Sequence, residues 1–241
     1  MFEKDELEKW LVNVSKFVSK PVAIYLIGGC AMSFKGYKAA TKDIDIVMLS
    51  KADFDVINSA INEAGYKQET DLEDEFYLTA LAVYVKGDSR IDIFLKKVGK
   101  MLAFSPKMAE RATIYDKFGN LTVALASNED IFLFKSMTPR PEDIKDCELL
   151  IQTGLEWNAI FDEILEQSKA NDKWFFWTFE KVCIIENETK IPIPIKPKLL
   201  ELVKKHWKHR PTDFMSNVEE LDNHLPKKYQ KDVLKNSKEK T

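Results

Sequence analysis

The 241-residue sequence predicts an α+β protein, with a mixed β-sheet domain over residues 1–126 and a helical domain with a basic tail over residues 127–241. Three observations predict it. Strand and helix periods alternate through the first 64 residues, two hairpin patterns follow, and apolar spacing is helical from Asn128 onward. Because hairpins join antiparallel strands and helical crossovers join parallel ones, the sheet should be mixed.

Composition argues against a membrane protein and against a disulfide- or zinc-stabilised one. No run of eighteen apolar residues occurs and no signal-peptide pattern opens the chain, so we expect a cytoplasmic protein without membrane contact. Cys30, Cys147 and Cys183 are odd in number and far apart, which argues against disulfides and structural zinc. Residues 191–241 carry 12 basic and 7 acidic side chains, and the overall net charge is −3. The tail is therefore basic and the body acidic.

The first 64 residues are predicted to alternate between helices and strands, each from its apolar period or its glycine and proline content. In order they are a helix over 3–18 ended by Pro21, a strand Val22–Ile27, a turn Gly28-Gly29, a helix Cys30–Phe34, a loop Gly36–Thr41, a strand Asp43–Met48 and a helix Ala52–Ala64.

Two hairpins and then helices are predicted in the rest of the chain. The strands are Tyr77–Val85 with Arg90–Leu95 around the turn 86–89, and Thr113–Tyr115 with Leu121–Leu125 around the turn 117–120. Ser127 to Asp130 has the form of a capping box that opens the helical region. The proline-rich stretch Ile191–Pro197 should join two helices.

Asp43 and Asp45 are the first candidate catalytic residues. Alternation along a strand places both carboxylates on one face, with Ile44 and Ile46 on the other. Their mutual repulsion favours a divalent cation between them, and Mg²⁺ suits hard oxygen ligands. Two-metal nucleotidyl transfer needs a third acid, and Asp92 repeats the alternation on a later predicted strand.

The spacing of two aspartates is weak evidence alone, since Asp53 and Asp55 have the same spacing on a predicted helix. The order of a strand, a Gly28-Gly29 turn, the paired aspartates and a further strand is more specific. Glycines let a triphosphate approach backbone N–H groups near Cys30. The alternative is a tight turn beside a solvated strand end.

Two blocks of sequence carry a family resemblance. Tyr25-Leu-Ile-Gly-Gly-Cys-Ala31, continuing through Gly36 to Thr41-Lys-Asp-Ile-Asp-Ile46, resembles the nucleotidyltransferase superfamily, whose fold is polymerase beta-like. It is most similar to minimal bacterial and archaeal members of the AbiEii toxin type. Glu129–Lys135 and Arg140–Asp146 resemble a later lysine-bearing helix and an R-x-x-D-x-x-D stretch, so the resemblance spans residues 22–150.

The resemblance implies a role for each matching residue, with an NTP such as ATP as substrate and Mg²⁺ or Mn²⁺ as cofactor. The metal ligands and catalytic residues would be Asp43, Asp45 and Asp92, the last also a possible base. Lys135 would contact phosphate. The other nucleotide-binding residues would be Gly28, Gly29, Cys30, Thr41, Arg140, Asp143 and Asp146.

The sequence departs from the family at two positions. Cys30 stands where relatives commonly carry Ser or Thr, and Ala39 where they often carry Arg, so Lys38 or Lys42 would have to replace that arginine. The expected reaction moves an NMP from an NTP to a hydroxyl of RNA, such as tRNA, or of a protein. The alternative is a non-catalytic nucleotide- or partner-binding protein of a toxin-antitoxin system, with an antitoxin as its partner.

Three other patterns have simpler interpretations. His206 and His209 share one helix face without a further ligand nearby, and the basic residues around them are typical of a solvated face or of an RNA contact. The aromatic cluster over 174–179 is typical of core packing rather than of base stacking.

Overall fold

The computed structural model describes residues 1–69, 80–98, 102–138, 140–170 and 174–206. The chain divides into two compact units, Met1–Ile131 and Phe132–Thr241. Every strand of the described residues lies in the first unit, and the described part of the second is helical. The predicted α+β class, a mixed sheet followed by a helical region, is confirmed.

The strands and helices have the following bounds. The strands are β1 (Phe2–Glu3), β2 (Val22–Leu26), β3 (Ala40–Thr41), β4 (Asp43–Met48), β5 (Lys67–Gln68), β6 (Ala82–Lys86), β7 (Ser89–Leu95), β8 (Thr113–Phe118) and β9 (Leu121–Leu125). The helices are α1 (Lys4–Ser15), α2 (Gly28–Phe34), α3 (Lys51–Glu63), α4 (Pro106–Arg111), α5 (Asn128–Ser136), α6 (Glu142–Gln152), α7 (Trp157–Ala170), α8 (Trp174–Thr189) and α9 (Lys196–His206).

The main sheet has seven strands in the order β5-β6-β7-β4-β2-β9-β8. Strand β4 is parallel to β7 and β2 is parallel to β9, while the other neighbours are antiparallel. Strands β1 and β3 form a separate antiparallel pair. The mixture follows from the connections, since tight turns join β6 to β7 and β8 to β9, and longer segments join the parallel pairs.

The centre of the sheet has one fully apolar face. Ile44 and Ile46 of β4 and Ile91 and Ile93 of β7 are all completely buried. Both strands alternate with period 2, so the intervening residues point to the opposite face. Helix α3 contributes an apolar stripe to the same unit, including Ile57 and other buried residues at helical spacing. Burial of the isoleucines therefore determines which face receives the aspartates.

The helical unit confirms two predictions, one about its aromatic cluster and one about its proline-rich stretch. Phe175, Phe176 and Phe179 of α8 are buried, as core packing of the aromatic cluster requires. The stretch Ile191–Pro197 lies between α8 and the body of α9. Lys196 at the start of α9 is buried and ion-paired with Glu186.

Several predicted bounds were wrong, and turn chemistry explains most of them. Both hairpin turns are shorter than predicted, because Gly87 and Gly119 have φ of +58° and +57° and close two-residue turns. The predicted loop 36–41 contains β3, and α4 and β5 were not predicted. The strand predicted from Tyr77 begins at Ala82, and residues 77–79 lie outside the described part.

Most of the predicted basic tail follows the last described helix, α9. His206 ends α9, whereas His209 and most of the predicted basic tail lie outside the described residues. Within the described ranges, helices are too short or too polar for any of them to traverse a lipid bilayer. Cys30, Cys147 and Cys183 are all free thiols, as predicted.

Candidate active site

The three candidate aspartates lie on one face of two adjacent strands. In the parallel pair β4 and β7, Asp43 is opposite Arg90 and Asp45 is opposite Asp92. In-register neighbours of adjacent strands point to the same face. Asp43, Asp45, Arg90 and Asp92 therefore share the face opposite the buried isoleucines. The structure thus brings together all three aspartates predicted from the sequence.

Gly28 places backbone directly against the Asp45 carboxylate. It begins α2 with φ of +58°, and a Cβ atom there would lie 2.7 Å from Oδ2 of Asp45. A side chain at this position would both clash with the carboxylate and strain the backbone. The position was predicted as part of a tight turn, but the helix begins at Gly28 itself.

Gly29 and Thr41 form a second close approach beside the first. A Cβ atom at Gly29 would lie 2.6 Å from Oγ1 of Thr41. The Thr41 hydroxyl is buried and donates a hydrogen bond to the carbonyl oxygen of Asp43 at 3.2 Å. Thr41 thus braces the start of β4, and both glycines are needed for α2 to lie this close to the aspartate strand.

Cys30 is a core residue beside the candidate site. Its side chain is completely buried, and its thiol donates to the carbonyl oxygens of Ile27 at 3.1 Å and Asp45 at 3.6 Å. Burial, and next the nearby charge of Asp45, raise the pKa of this thiol well above its ordinary value. Cys30 therefore packs in the core through its side chain, and the predicted nucleotide contact at this position would have to use the backbone N–H.

Asp92 is the most buried of the three aspartates, with only 2% of its surface exposed. Asp45 flanks it on β4 and Val83 flanks it on β6. Its Oδ1 accepts a hydrogen bond from Nε of Arg90 at 2.8 Å. Burial raises the pKa of Asp92, the Arg90 hydrogen bond and charge partly oppose this, and Asp43 raises it further. A buried carboxyl with a raised pKa is typical of a proton acceptor in an active site.

The donor chemistry of this face fits a divalent cation in part. Asp43 and Asp45 are partly exposed carboxylates on one strand, and the negative charge of Asp43 acts on Asp92. Asp92, however, is engaged by Arg90, and the described ranges contain no three His, Cys, Asp or Glu side chains already gathered as ligands. Asp43 and Asp45 supply the oxygen ligands that a hard cation prefers, and Asp92 would add a third where Arg90 is displaced.

Lys135 belongs to a buried ionic network in the helical unit. Its Nζ lies 2.7 Å from Oδ1 of Asp143 and 2.6 Å from Oδ2 of Asp146, and all three side chains are buried. The Thr138 hydroxyl donates a hydrogen bond to the Asp143 carboxylate, and Nε of Arg140 donates another to the same carboxylate at 3.1 Å. Four of the residues predicted for phosphate and nucleotide contact are therefore joined by ion pairs: Lys135, Arg140, Asp143 and Asp146.

The network shifts the ionisation of its members in opposite directions. Burial alone would lower the pKa of Lys135, but the charges of Asp143 and Asp146 raise it above its ordinary value. Burial alone would raise the pKa of Asp143, but Lys135, Thr138 and Arg140 lower it. Both groups are thus held in their charged forms, as in a structural ion pair.

Sequence reasoning missed three basic residues that bond to buried polar groups. Arg90 pairs with Asp92, Arg111 pairs with Asp130 at 2.6 Å, and Lys181 donates to the carbonyl oxygen of Thr138. The spacing of Arg90 and Asp92 on one strand is a signal that could have found the first pair. The other two join segments distant in sequence, which leave no such pattern.

Two predicted features act locally. Asp53 and Asp55 lie on α3, where Asp53 is bonded to the capping Ser50 and Asp55 to Lys51 at 2.6 Å. This second pair of spaced aspartates therefore stabilises a helix start rather than a site. Ser127 caps α5, accepting from the backbone N–H of Asp130 at 3.2 Å.

Comparison with known proteins gives distant likenesses to solved structures. No protein-family model and no curated protein matches the chain. A crystal structure of ANT(2")-Ia in complex with adenylyl-2"-tobramycin is 14% identical, covers 62% of this chain and 88% of that one, and has a TM-score of 0.42. A solution structure of the antibiotic-resistance factor ANT(2'')-Ia is 12% identical, covers 63% and 85%, and has a TM-score of 0.44.

Both solved structures are of nucleotidyltransferases. Their identities and TM-scores are too low to assign an activity to this chain. The resemblance to the AbiEii toxin type finds no support among these matches. The geometry of the aspartate face is therefore the basis for a functional conclusion.

Proposed function

We propose that this protein is a metal-dependent nucleotidyltransferase that moves an NMP from an NTP to an acceptor hydroxyl. One observation carries the proposal: Asp43 and Asp45 share a face with Asp92 of the adjacent parallel strand, and Gly28 presses backbone against the Asp45 carboxylate. A carboxylate pair beside a third acid is the donor set that nucleotidyl transfer uses. Charge repulsion among these acids favours a bound cation.

Asp43 and Asp45 would hold Mg²⁺ or Mn²⁺, with Asp92 as the further ligand. When bound, the cation would neutralise phosphate charge and make the acceptor hydroxyl more acidic. Asp92 would accept the proton of that hydroxyl, consistent with the upward shift of its pKa. The acceptor oxygen would then bond to the α-phosphorus as the bond to the β-phosphate oxygen breaks, releasing pyrophosphate.

Gly28 and Gly29 would keep this end of the site free of side chains, so that phosphates can lie beside the backbone. Thr41 would support them by bonding to the Asp43 carbonyl oxygen. Lys135, Arg140, Asp143 and Asp146 are left out of the proposed site, because their mutual ion pairs support a structural role.

The acceptor class is inferred from the sequence, where a basic tail favours RNA and a protein hydroxyl is the other candidate. A competing function is nucleotide or partner binding without turnover, as one half of a toxin-antitoxin pair. Two observations favour that alternative: the buried thiol of Cys30 is bonded to backbone carbonyl oxygens, and Arg90 is ion-paired with Asp92.

One labelling experiment separates the two functions. The protein is incubated with Mg²⁺, each α-labelled NTP, and total RNA, a protein extract or an aminoglycoside as acceptor. An Asp43→Asn, Asp45→Asn double variant is the control. If wild type labels an acceptor and the double variant does not, the result supports the transferase and identifies its acceptor class. NTP binding without labelling or pyrophosphate release would contradict it and favour the binding protein.

A further inference from the structure

Arg90 contacts the third carboxylate of the proposed metal site. Its Nε lies 2.8 Å from Oδ1 of Asp92, and the two side chains are 24% and 2% exposed. They are two residues apart on β7 and share a face, with Asp43 directly opposite Arg90 on β4. Arg90 is thus the positive charge in contact with the most buried of the three acids.

We propose that Arg90 and a divalent cation compete for the Asp92 carboxylate, which makes Arg90 a positioning residue that holds Asp92 until the cation binds. This rests on the proposed function, since it requires a cation at Asp43 and Asp45. A carboxylate removed from water needs an adjacent positive charge or a set of donors. Asp92 therefore exchanges one positive partner for another.

The geometry makes the exchange feasible. Arg90 is the more exposed partner, at 24% against 2% for Asp92, so it is the guanidinium that would rotate toward solvent, bringing its buried Nη2 with it, while Asp92 stays in place. The Oδ1 atom that accepts the arginine N–H is then available to a metal ion. Metal affinity should consequently include the free energy of breaking the Arg90–Asp92 ion pair.

A second ion pair of the same unit supplies a matched control. Nη2 of Arg111 lies 2.6 Å from Oδ1 of Asp130, with 24% and 1% of the side chains exposed. Its acid caps the start of α5 through Ser127 and is not one of the three candidate ligands. Removing Arg111 disrupts an equally buried ion pair without affecting the aspartate face.

The experiment is a Mn²⁺ titration of the full chain, followed by electron paramagnetic resonance of the free ion. We expect Arg90→Gln to bind Mn²⁺ about tenfold more tightly than wild type, within the range of ordinary coupling between sites. Arg111→Gln should match wild type. In an Asp92→Asn background, Arg90→Gln should no longer change the affinity, because the carboxylate in competition is gone.

Different results overturn different proposals. If the double variant Asp43→Asn, Asp45→Asn does not bind Mn²⁺ but Arg90→Gln has the same affinity as wild type or a weaker one, only the competition is overturned. If the double variant does not alter Mn²⁺ binding, the metal site and the competition both fail. Should Arg90→Gln not fold by circular dichroism, the neutral Arg90→Met replaces it. A Kd tighter than that of wild type then supports the competition and an unchanged one overturns it.

Discussion

Each compact unit contains a cluster of carboxylates, and the two clusters differ in how far their carboxylates are buried. On the aspartate face of β4 and β7, the partly exposed Asp43 and Asp45 lie beside Asp92, which is buried and ion-paired with Arg90. In the helical unit, Asp143 and Asp146 are both buried and ion-paired with Lys135, and Asp143 is also paired with Arg140.

This difference distinguishes a candidate site from a structural network. Complete buried ion pairs resist removal of either partner but have no capacity left for a ligand. Partly exposed carboxylates on one face of a sheet repel one another and remain accessible to a cation. Both clusters were candidates by sequence pattern, and only the first has such accessible carboxylates beside a buried one. Four predictions test this comparison.

Asp45→Asn tests the aspartate face with the largest expected effect. Nucleotidyl transfer should fall at least about a thousandfold, because a metal ligand is lost, which corresponds to roughly 4 kcal/mol of transition-state stabilisation. Pyrophosphate release at saturating Mg²⁺ measures it. Asp55→Asn is the matched control, since Asp55 has the same spacing from Asp53 but is exposed and bonded to Lys51. Equal losses in both variants would contradict the assignment.

Lys135→Met tests the helical network. It leaves Asp143 and Asp146 buried without their shared cation, so the free energy of unfolding should fall by about 3 kcal/mol. Urea unfolding measures the loss. Lys169→Met removes an exposed ion pair with Glu166 in the same unit and should change stability by less than about 0.5 kcal/mol. A similarly small effect for Lys135 would show that its network is dispensable.

Gly28→Ala separates backbone strain from damage to the site. Gly28 and Gly87 both have φ of +58°, but only at Gly28 would a Cβ atom meet Asp45, at 2.7 Å, whereas the space around Gly87 is open. Each alanine should destabilise the fold by about 1–2 kcal/mol. Transfer should fall about a hundredfold only in Gly28→Ala, because the carboxylate is displaced. Thermal unfolding and turnover of both variants, measured in parallel, decide it.

Acid pH should act on the two clusters in opposite directions, with the smallest effect of the four. The pKa of Asp143 is lowered, so its stabilisation is present above its unfolded pKa of about 4 and is lost as pH falls through the folded value. The pKa of Asp92 is raised, so its contribution is present below about pH 4 and is lost as pH rises through the folded value.

Urea unfolding between pH 3 and pH 7 checks these signs against the variants Asp143→Asn and Asp92→Asn. Wild type should lose stability relative to Asp143→Asn on acidification and gain stability relative to Asp92→Asn. Parallel pH dependence of the two differences would contradict the contrast between the clusters.

Much of the first unit could be predicted from local pattern. The alternation around Asp43 and Asp45 and the glycines before them have local causes, and the structure agrees with both. The network of Lys135 could not be predicted, because the sequence of α5 and α6 does not show which polar positions face the interior. The local sequence around Lys135 would be the same whether its ammonium group contacted a phosphate or two carboxylates.

The sequence by itself determined that Asp43 and Asp45 share a face, because the side-chain period of a strand is a property of the backbone. It also indicated that backbone can approach closely at Gly28 and Gly29, whereas the fold decided that Gly28 lies against Asp45. Only the tertiary structure decided that β7 lies in register beside β4, and hence that Asp92 meets Arg90 within the acid cluster. Strand register and burial depend on packing between distant segments, which no local period encodes.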